Sequence, residues 1–363
     1  MSDKYSSIHY TNYLQLDKVI DAQKLRSAEL GEPAHDEMLF IIIHQVYELW
    51  FKQIIHEVGA VLEMFKGDHF EEKMVSEAEH KLVRVIEIQK ILIDQIKVLE
   101  TMTPLDFLEF RNYLIPASGF QSFQFRVCEI RMGLKADARI TYNKTVYSSV
   151  FSEEQQKTLE QIQKEDSMFD AVQKWLERIP FLNFGDFDFT TEYLKSVKNM
   201  TERERKAILG TTHISQENKD MRIRMLDETQ KYIFNSLDEE AHNKSVAEGT
   251  TRLSYRATVA ALLIHLYRDE PILRAPYNLL NKITEVDELF TLYRYRHMQM
   301  VLRMLGKKMG TGGSSGAEYL KKTVEQHHIF QDFQKIATLL IPRSDLPKLP
   351  DELKKQLNFV YNH

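Results

Sequence analysis

The sequence predicts an all-α protein, a single large helical bundle, and three observations carry that prediction. Apolar residues recur at three- and four-residue spacing through residues 39–65 (LFIIIHQVYELWFKQIIHEVGAVLEMF), long enough for about seven helical turns. Glycine and proline number only 13 and 9 in 363 residues, about half their usual share. No alternating apolar–polar run of convincing strand length interrupts the helical periodicity.

Taken in order after residues 39–65, the same periodicity predicts helices at 75–99, 105–114, 120–132, 154–163, 169–178, 191–209, 219–236, 254–267, 277–305 and 317–333. Breaks are expected at Pro104, 116–119, 180–185, the polar stretch 238–250, Pro271, Pro276 and the glycine-rich 306–316. None of these reads as a linker between independent domains. The first thirty residues stand apart, because Tyr5, Tyr10, Tyr13 and Leu14 are too few to form a core. They need something to pack on, and arms of this kind often dock on a neighbouring subunit.

Composition narrows the function. With 43% hydrophobic and 28% charged residues the chain can bury a sizeable core. A net charge of −5, from 48 basic and 53 acidic side chains, offers no large basic field for nucleic acid or an anionic membrane. No run of 18 apolar residues occurs and the N-terminus lacks a signal-peptide pattern, so neither a membrane partner nor secretion is expected. A cytoplasmic location follows as the expectation. The single cysteine, Cys128, excludes an intramolecular disulfide and any multi-cysteine metal site. A bound metal would have to rely on histidine or carboxylate.

Three clusters could carry chemistry. His44 lies inside the run LFIIIH, one turn after Phe40 on the same helical face. It reads either as a core histidine bonded to a carbonyl or as an imidazole facing a hydrophobic pocket. His297 lies on a helix flanked by Met298, Met300 and Val301, which suits an axial haem ligand as well as a plain core histidine. Arg294, Arg296 and Arg303 nearby read either as propionate partners or as a solvated helix face. Phe107, Arg111 and Leu114 fall at i, i+4 and i+7, so one face would offer a ring, a guanidinium and an aliphatic group to an amphiphilic carboxylate. Spacing alone equally fits a core stripe with an arginine reaching the surface. Ser118 and Gly119 follow in a turn that can present backbone to a ligand. The loop GKKMGTGGSSG (306–316) lacks the spacing and preceding strand of a phosphate loop; a lid over substrate or a plain connector fits it better.

Five blocks taken together resemble the tryptophan 2,3-dioxygenases. They are YTNYLQL (10–16), HDEMLFIIIHQVYELWFK (35–52), FLEFRNYLIPASGFQSFQFR (107–126), LSYRATVAALLIHLYRDEPIL (253–273) and YRYRHMQMVLRMLGKKMGTGGSSGAEYL (293–320). The resemblance covers nearly the whole chain. It implies haem b, active as the ferrous form, bound between helices of an all-α domain spanning 19–363. The substrates would be L-tryptophan and O₂, and the product N-formyl-L-kynurenine, the first step of tryptophan degradation by the kynurenine pathway.

Residue by residue, the resemblance implies that His297 is the axial iron ligand and His44 accepts a hydrogen bond from the indole N–H. Arg111 would clamp the substrate carboxylate, with Thr311 at its ammonium and carboxylate end. Phe40, Phe107 and Leu114 would wall the indole pocket, with Ser118 and Gly119 beside it. Tyr10 and Tyr13, in an arm spanning 1–18, would reach a neighbour's active site within a homotetramer built as a dimer of dimers. Many members carry tryptophan where this chain has Tyr293, which leaves open an altered surface or secondary site. Three alternatives remain at this point: a related haem-dependent monooxygenase of tyrosine or indole, a haem gas sensor without catalysis, and a purely structural helical bundle, which would show no Soret absorbance when haem is supplied. Retention of His44, Arg111 and Thr311 argues against the first, and a carboxylate clamp would be superfluous in the second.

Overall fold

A computed structural model describes residues 7–67, 71–135, 151–306, 308 and 316–358. Tyr5, Thr311 and most of the glycine-rich loop therefore lie outside the described residues. Three short helices, α1 (Tyr10–Leu14), α2 (Leu16–Ile20) and α3 (Arg26–Glu29), lead into the long pair α4 (Glu37–Phe65) and α5 (Glu72–Leu99). Then come α6 (Pro104–Arg111), α7 (Phe123–Met132), α8 (Glu153–Gln163) and α9 (Met168–Glu177). A second run follows with α10 (Phe189–Gly210), α11 (Gln216–Ser236), α12 (Glu239–Ala247) and α13 (Tyr255–Leu266). The chain continues through α14 (Pro271–Leu305), α15 (Gly316–Gln326), α16 (Gln331–Leu339) and α17 (Asp351–Gln356). The only strands among the described residues are a two-residue hairpin, Asn183–Phe184 with Phe187–Asp188. The chain is thus all-α, as its periodicity predicts.

The centre of the molecule is α4, α5 and α14. Their apolar stripes, including Ile54, Val58, Leu82, Val85, Leu279 and Ile283, are almost wholly removed from water. Burial of this kind drives the packing at roughly 1.5–3 kcal/mol per large side chain. Polar cross-links fix the register: the Tyr47 hydroxyl donates to the Leu92 carbonyl at 2.7 Å, and Gln89 Nε2 donates to the Val286 carbonyl at 3.0 Å. Among the described residues, α4 is the one helix long and apolar enough to cross a membrane. It packs against α5, α7 and α9 and carries buried Glu57, which pairs with Arg84 at 2.7 Å.

Five stretches differ from the periodicity reading. The stretch 238–250, expected as a break, contains α12, because Asp238 caps the Ala241 N–H at 2.8 Å and Glu239 and Glu240 sit at the positive end of the helix. Helix α14 starts at Pro271 and runs on through Pro276. That proline forfeits one backbone hydrogen bond, but it is buried beside Leu273, Leu279 and Leu280, whose packing carries the helix through. The helix expected at 317–333 is two helices, because Asp287 accepts from the N–H groups of Ile329 and Phe330 and so holds the backbone there out of helical register. The helices expected at 105–114 and 120–132 each contain a separate 3₁₀ turn, Asn112–Leu114 and Gly119–Gln121.

Candidate active site

Helix α6 starts where Thr103 and Asp106 form a reciprocal capping box and Pro104 occupies the first turn. That start sets the helix phase, so Phe107 and Arg111 share a face one turn apart. On α4, Phe40 lies 4.1 Å from the His44 ring and 5.7 Å from the Phe107 ring, centroid to centroid. Phe110, fully buried, meets Phe40 at 5.5 Å and Phe107 edge-on at 5.4 Å. The aromatic cluster locks α4 to α6 and orients both His44 and Phe107.

These residues open onto a cavity of about 850 Å³, partly open to solvent. Phe40, His44, Phe107, Arg111, Ser118, Gly119 and His297 all line it, so seven site residues far apart in sequence converge. Helix α14 contributes His297, Met300, Val301, Met304 and Leu305, one face at helical spacing. Ser118 caps the turn that follows, accepting from the Phe120 N–H at 3.3 Å. A side chain added at Gly119 would meet no heavy atom within 4 Å, so the backbone there borders open space.

Three predicted residues lie elsewhere. Leu114 packs on the core outside the cavity lining, because α6 ends at Arg111 and the tighter 3₁₀ turn rotates Leu114 off the Phe107–Arg111 face. Tyr10 and Tyr13 lie on α1, 69% and 71% exposed, away from this pocket within the chain. The cavity also uses residues that the sequence did not single out. Met304 and Leu305 were legible as the next turn after Met300 and Val301, whereas Leu99, Met102 and Leu320 gave no local signal.

Both cavity histidines are kept neutral. Burial lowers the His44 pKa, outweighing the raising effect of its bond to the Phe40 carbonyl. Burial, and then the proximity of His44, lowers that of His297 to about 4. His44 Nδ1 lies 2.7 Å from the Phe40 carbonyl oxygen; a carbonyl can only accept, so Nδ1 carries the proton and Nε2 presents a lone pair. His297 has no hydrogen bond among the described residues. Its ring stacks on Tyr293, centroids 6.0 Å apart and planes 23° apart. Tyr293 is thus neither a surface residue nor remote from the site, and it packs with Tyr47, Phe51 and Phe125 behind His297. Arg294 also departs from expectation, since it is buried in an ion pair with Glu129 at 3.0 Å. Arg296 pairs with Glu100 at 3.2 Å, and Arg303 is exposed.

Among the described residues no three histidine, cysteine or carboxylate side chains gather as a cage for a metal ion. An iron at His297 would need to bring most of its own ligands, as a porphyrin does. A neutral imidazole with uncommitted nitrogens, set in apolar walls, fits such a group.

Fold and site together define an all-helical protein with an apolar pocket that carries two neutral imidazoles and a guanidinium. The family described as tryptophan 2,3-dioxygenase matches residues 2–340. Proteins named tryptophan 2,3-dioxygenase from Bdellovibrio bacteriovorus, Dictyostelium discoideum and Anopheles gambiae are 45%, 44% and 41% identical to it. These alignments cover 99%, 98% and 97% of this chain and 100%, 89% and 90% of the relatives. The chain belongs to the tryptophan 2,3-dioxygenase family.

Proposed function

We propose that the chain binds haem b through His297 and inserts both atoms of O₂ across the indole C2–C3 bond of L-tryptophan, giving N-formyl-L-kynurenine. The observation that carries this reading is the convergence of His44, Arg111, Phe40, Phe107 and His297 on one cavity. When bound, the haem supplies the site at which O₂ is held and activated. The chain supplies the rest.

Arg111 meets the substrate carboxylate, where a planar guanidinium can bond both oxygens. His44 Nε2 accepts from the indole N–H, and the Phe40 and Phe107 rings flank the indole. Met300, Val301, Met304 and Leu305 exclude water, which strengthens the polar contacts that orient the substrate. Ser118 and Gly119 bring backbone and a hydroxyl to the same pocket. Thr311 completes the ammonium end, and Leu114 supports the wall from the core side.

The arm, residues 1–18, serves a neighbouring subunit in a homotetramer made of two dimers. In support, Ile8, Tyr10, Tyr13 and Ile20 are exposed, as are Met38, Ile42 and Leu49 along α4. Apolar surface of that extent marks an interaction site. The protein works in the cytoplasm on L-tryptophan and O₂, without nucleic acid or membrane as partner. The test is direct: ferrous haem-loaded protein is mixed with tryptophan and air and N-formylkynurenine is sought by absorbance and mass. A haem-loaded protein that binds tryptophan and forms only a hydroxylated product would overturn the assignment.

A further inference from the structure

Behind His297 lies a second cavity of about 500 Å³ that shares His297, Gly119, Phe120 and Leu320 with the larger one. Its wall includes a buried charge cluster. Glu129, on α7 and 2% exposed, accepts from Arg126 at 2.5 Å through one oxygen and from Arg294 at 3.0 Å through the other. The same oxygen lies 3.5 Å from His327 Nδ1, at the end of α15, and Arg294 also donates to the His327 carbonyl at 3.2 Å. Burial alone would raise the Glu129 carboxyl, but Arg126, His327 and Arg294 outweigh it and hold it below the usual carboxylate range.

The cluster leads to the active cavity along two routes. Arg126 is hydrogen-bonded to Tyr319 of α15, and Tyr319 packs edge-on against Phe120 at 4.8 Å. Phe120 in turn lines the cavity beside Gly119. Arg294 is three residues before His297, just under one turn on the same helix. One carboxylate therefore ties together the turn at 118–120, the wall supplied by α15 and the helix bearing His297. Buried ion networks add little net stability compared with well-packed apolar groups, whereas their directional bonds can specify one arrangement.

We propose that Glu129 is a positioning residue for the active cavity: by holding Arg126 and Arg294 together it sets the placement of Phe120 and His297, and so the affinity for the aromatic substrate. The claim rests on the reading that tryptophan and haem occupy that cavity. Glu129→Gln would leave two buried guanidiniums around a neutral amide, and Tyr319→Phe would remove only the hydroxyl that bonds Arg126, leaving the ring against Phe120 but uncoupled from the charge cluster.

The experiment uses the full-length haem-loaded protein. L-Tryptophan affinity is read from the Soret change, turnover at saturation from product formation, and His297 placement from the ferrous iron–histidine stretching band. In Glu129→Gln the tryptophan Kd should rise about tenfold, the loss expected for one charged hydrogen bond, with kcat changed far less and the stretching band shifted. Tyr319→Phe should weaken tryptophan about threefold with an unchanged melting temperature, and it decides the matter if Glu129→Gln does not fold. Wild-type Kd and stretching band in a folded Glu129→Gln protein, even one that melts earlier, would show that the cluster serves stability alone. A wild-type protein that takes up haem but gives no tryptophan response would instead sink the substrate reading, and the stretching band would then decide this one.

Discussion

His44 donates from Nδ1 to the carbonyl oxygen of Phe40, one turn earlier on α4, at 2.7 Å. The bond commits the ring to one tautomer and turns an acceptor nitrogen toward the cavity. Losing one neutral hydrogen-bond partner costs about 1–3 kcal/mol. His44→Ala should therefore lower kcat/KM for tryptophan about five- to hundredfold while leaving measurable turnover. The difference between tryptophan and N1-methyltryptophan, which has no indole N–H to donate, should largely vanish in the variant. Complete loss of turnover with haem and substrate still bound would point to obligatory base catalysis instead.

Arg111 stands one turn from Phe107 and lines the same cavity. It is half-buried, so the loss of its charge should cost less than that of a fully buried pair, about 2–3 kcal/mol. Arg111→Leu should weaken tryptophan binding by roughly thirty- to hundredfold and spare haem content. Indole-3-propionate, which keeps the carboxylate, should lose affinity similarly, whereas tryptamine, which lacks it, should bind both proteins alike. Equal losses for the two ligands would mean that the substitution disturbs the pocket as a whole.

His297 gives a pH prediction. Its folded pKa is lowered to about 4, by burial first and then by His44, against about 6.5 in an unfolded chain. The unfolded chain therefore takes up a proton near pH 6.5 that the folded chain refuses until about pH 4. Above about pH 6.5 the ring is neutral in both states, so its protonation takes nothing from the fold. As pH falls from about 6.5 toward 4, stability is lost, by up to about 3 kcal/mol from this group. Denaturant titrations of haem-free protein at pH 7 and pH 5 should show that His297→Leu loses distinctly less stability on acidification than the wild type. If His297 is the axial ligand, as proposed, the same variant should retain no haem through purification. Equal acid sensitivity of the two proteins would contradict the buried neutral imidazole.

The all-α class was legible because helical periodicity and the scarcity of glycine and proline pointed the same way. The two histidines and Arg111 were legible as pieces; only the resemblance joined them, since spacing along a chain says nothing about which helices face each other. Leu114 shows the limit of a periodicity argument. The i+7 reading assumed an unbroken α-helix, and the 3₁₀ turn at Asn112–Leu114 altered the phase. Arg294 shows another: on sequence it read as a propionate partner or part of a solvated helix face, whereas it is buried against Glu129, 165 residues away. Tyr293 could not be placed at all until the stacking on His297 was visible.

The arm offers a test of assembly and active site together. Among the described residues Tyr10 and Tyr13 are exposed, although their neighbours from residue 23 onward are tied down. Gln23 bonds Gln45 at 2.6 Å, and the Glu37 carboxylate caps the Arg26 and Ser27 N–H groups at 2.8 and 2.9 Å. The attachment thus stops short of the exposed tyrosines. Two exposed aromatic rings suit a rim position on another subunit, burying apolar area while each hydroxyl meets a polar group or water. Deleting residues 1–16 should therefore lower tryptophan affinity while haem content stays normal, because His297 and its cavity are intact. Mixing the deleted chain with an Arg111→Leu chain supplies the stricter comparison. In hybrid oligomers an intact arm from the second chain would complete an intact pocket of the first, so activity should partly recover. Failure to recover, in mixtures shown by mass to contain hybrids, would mean that the arm serves its own chain and that the proposed exchange is wrong.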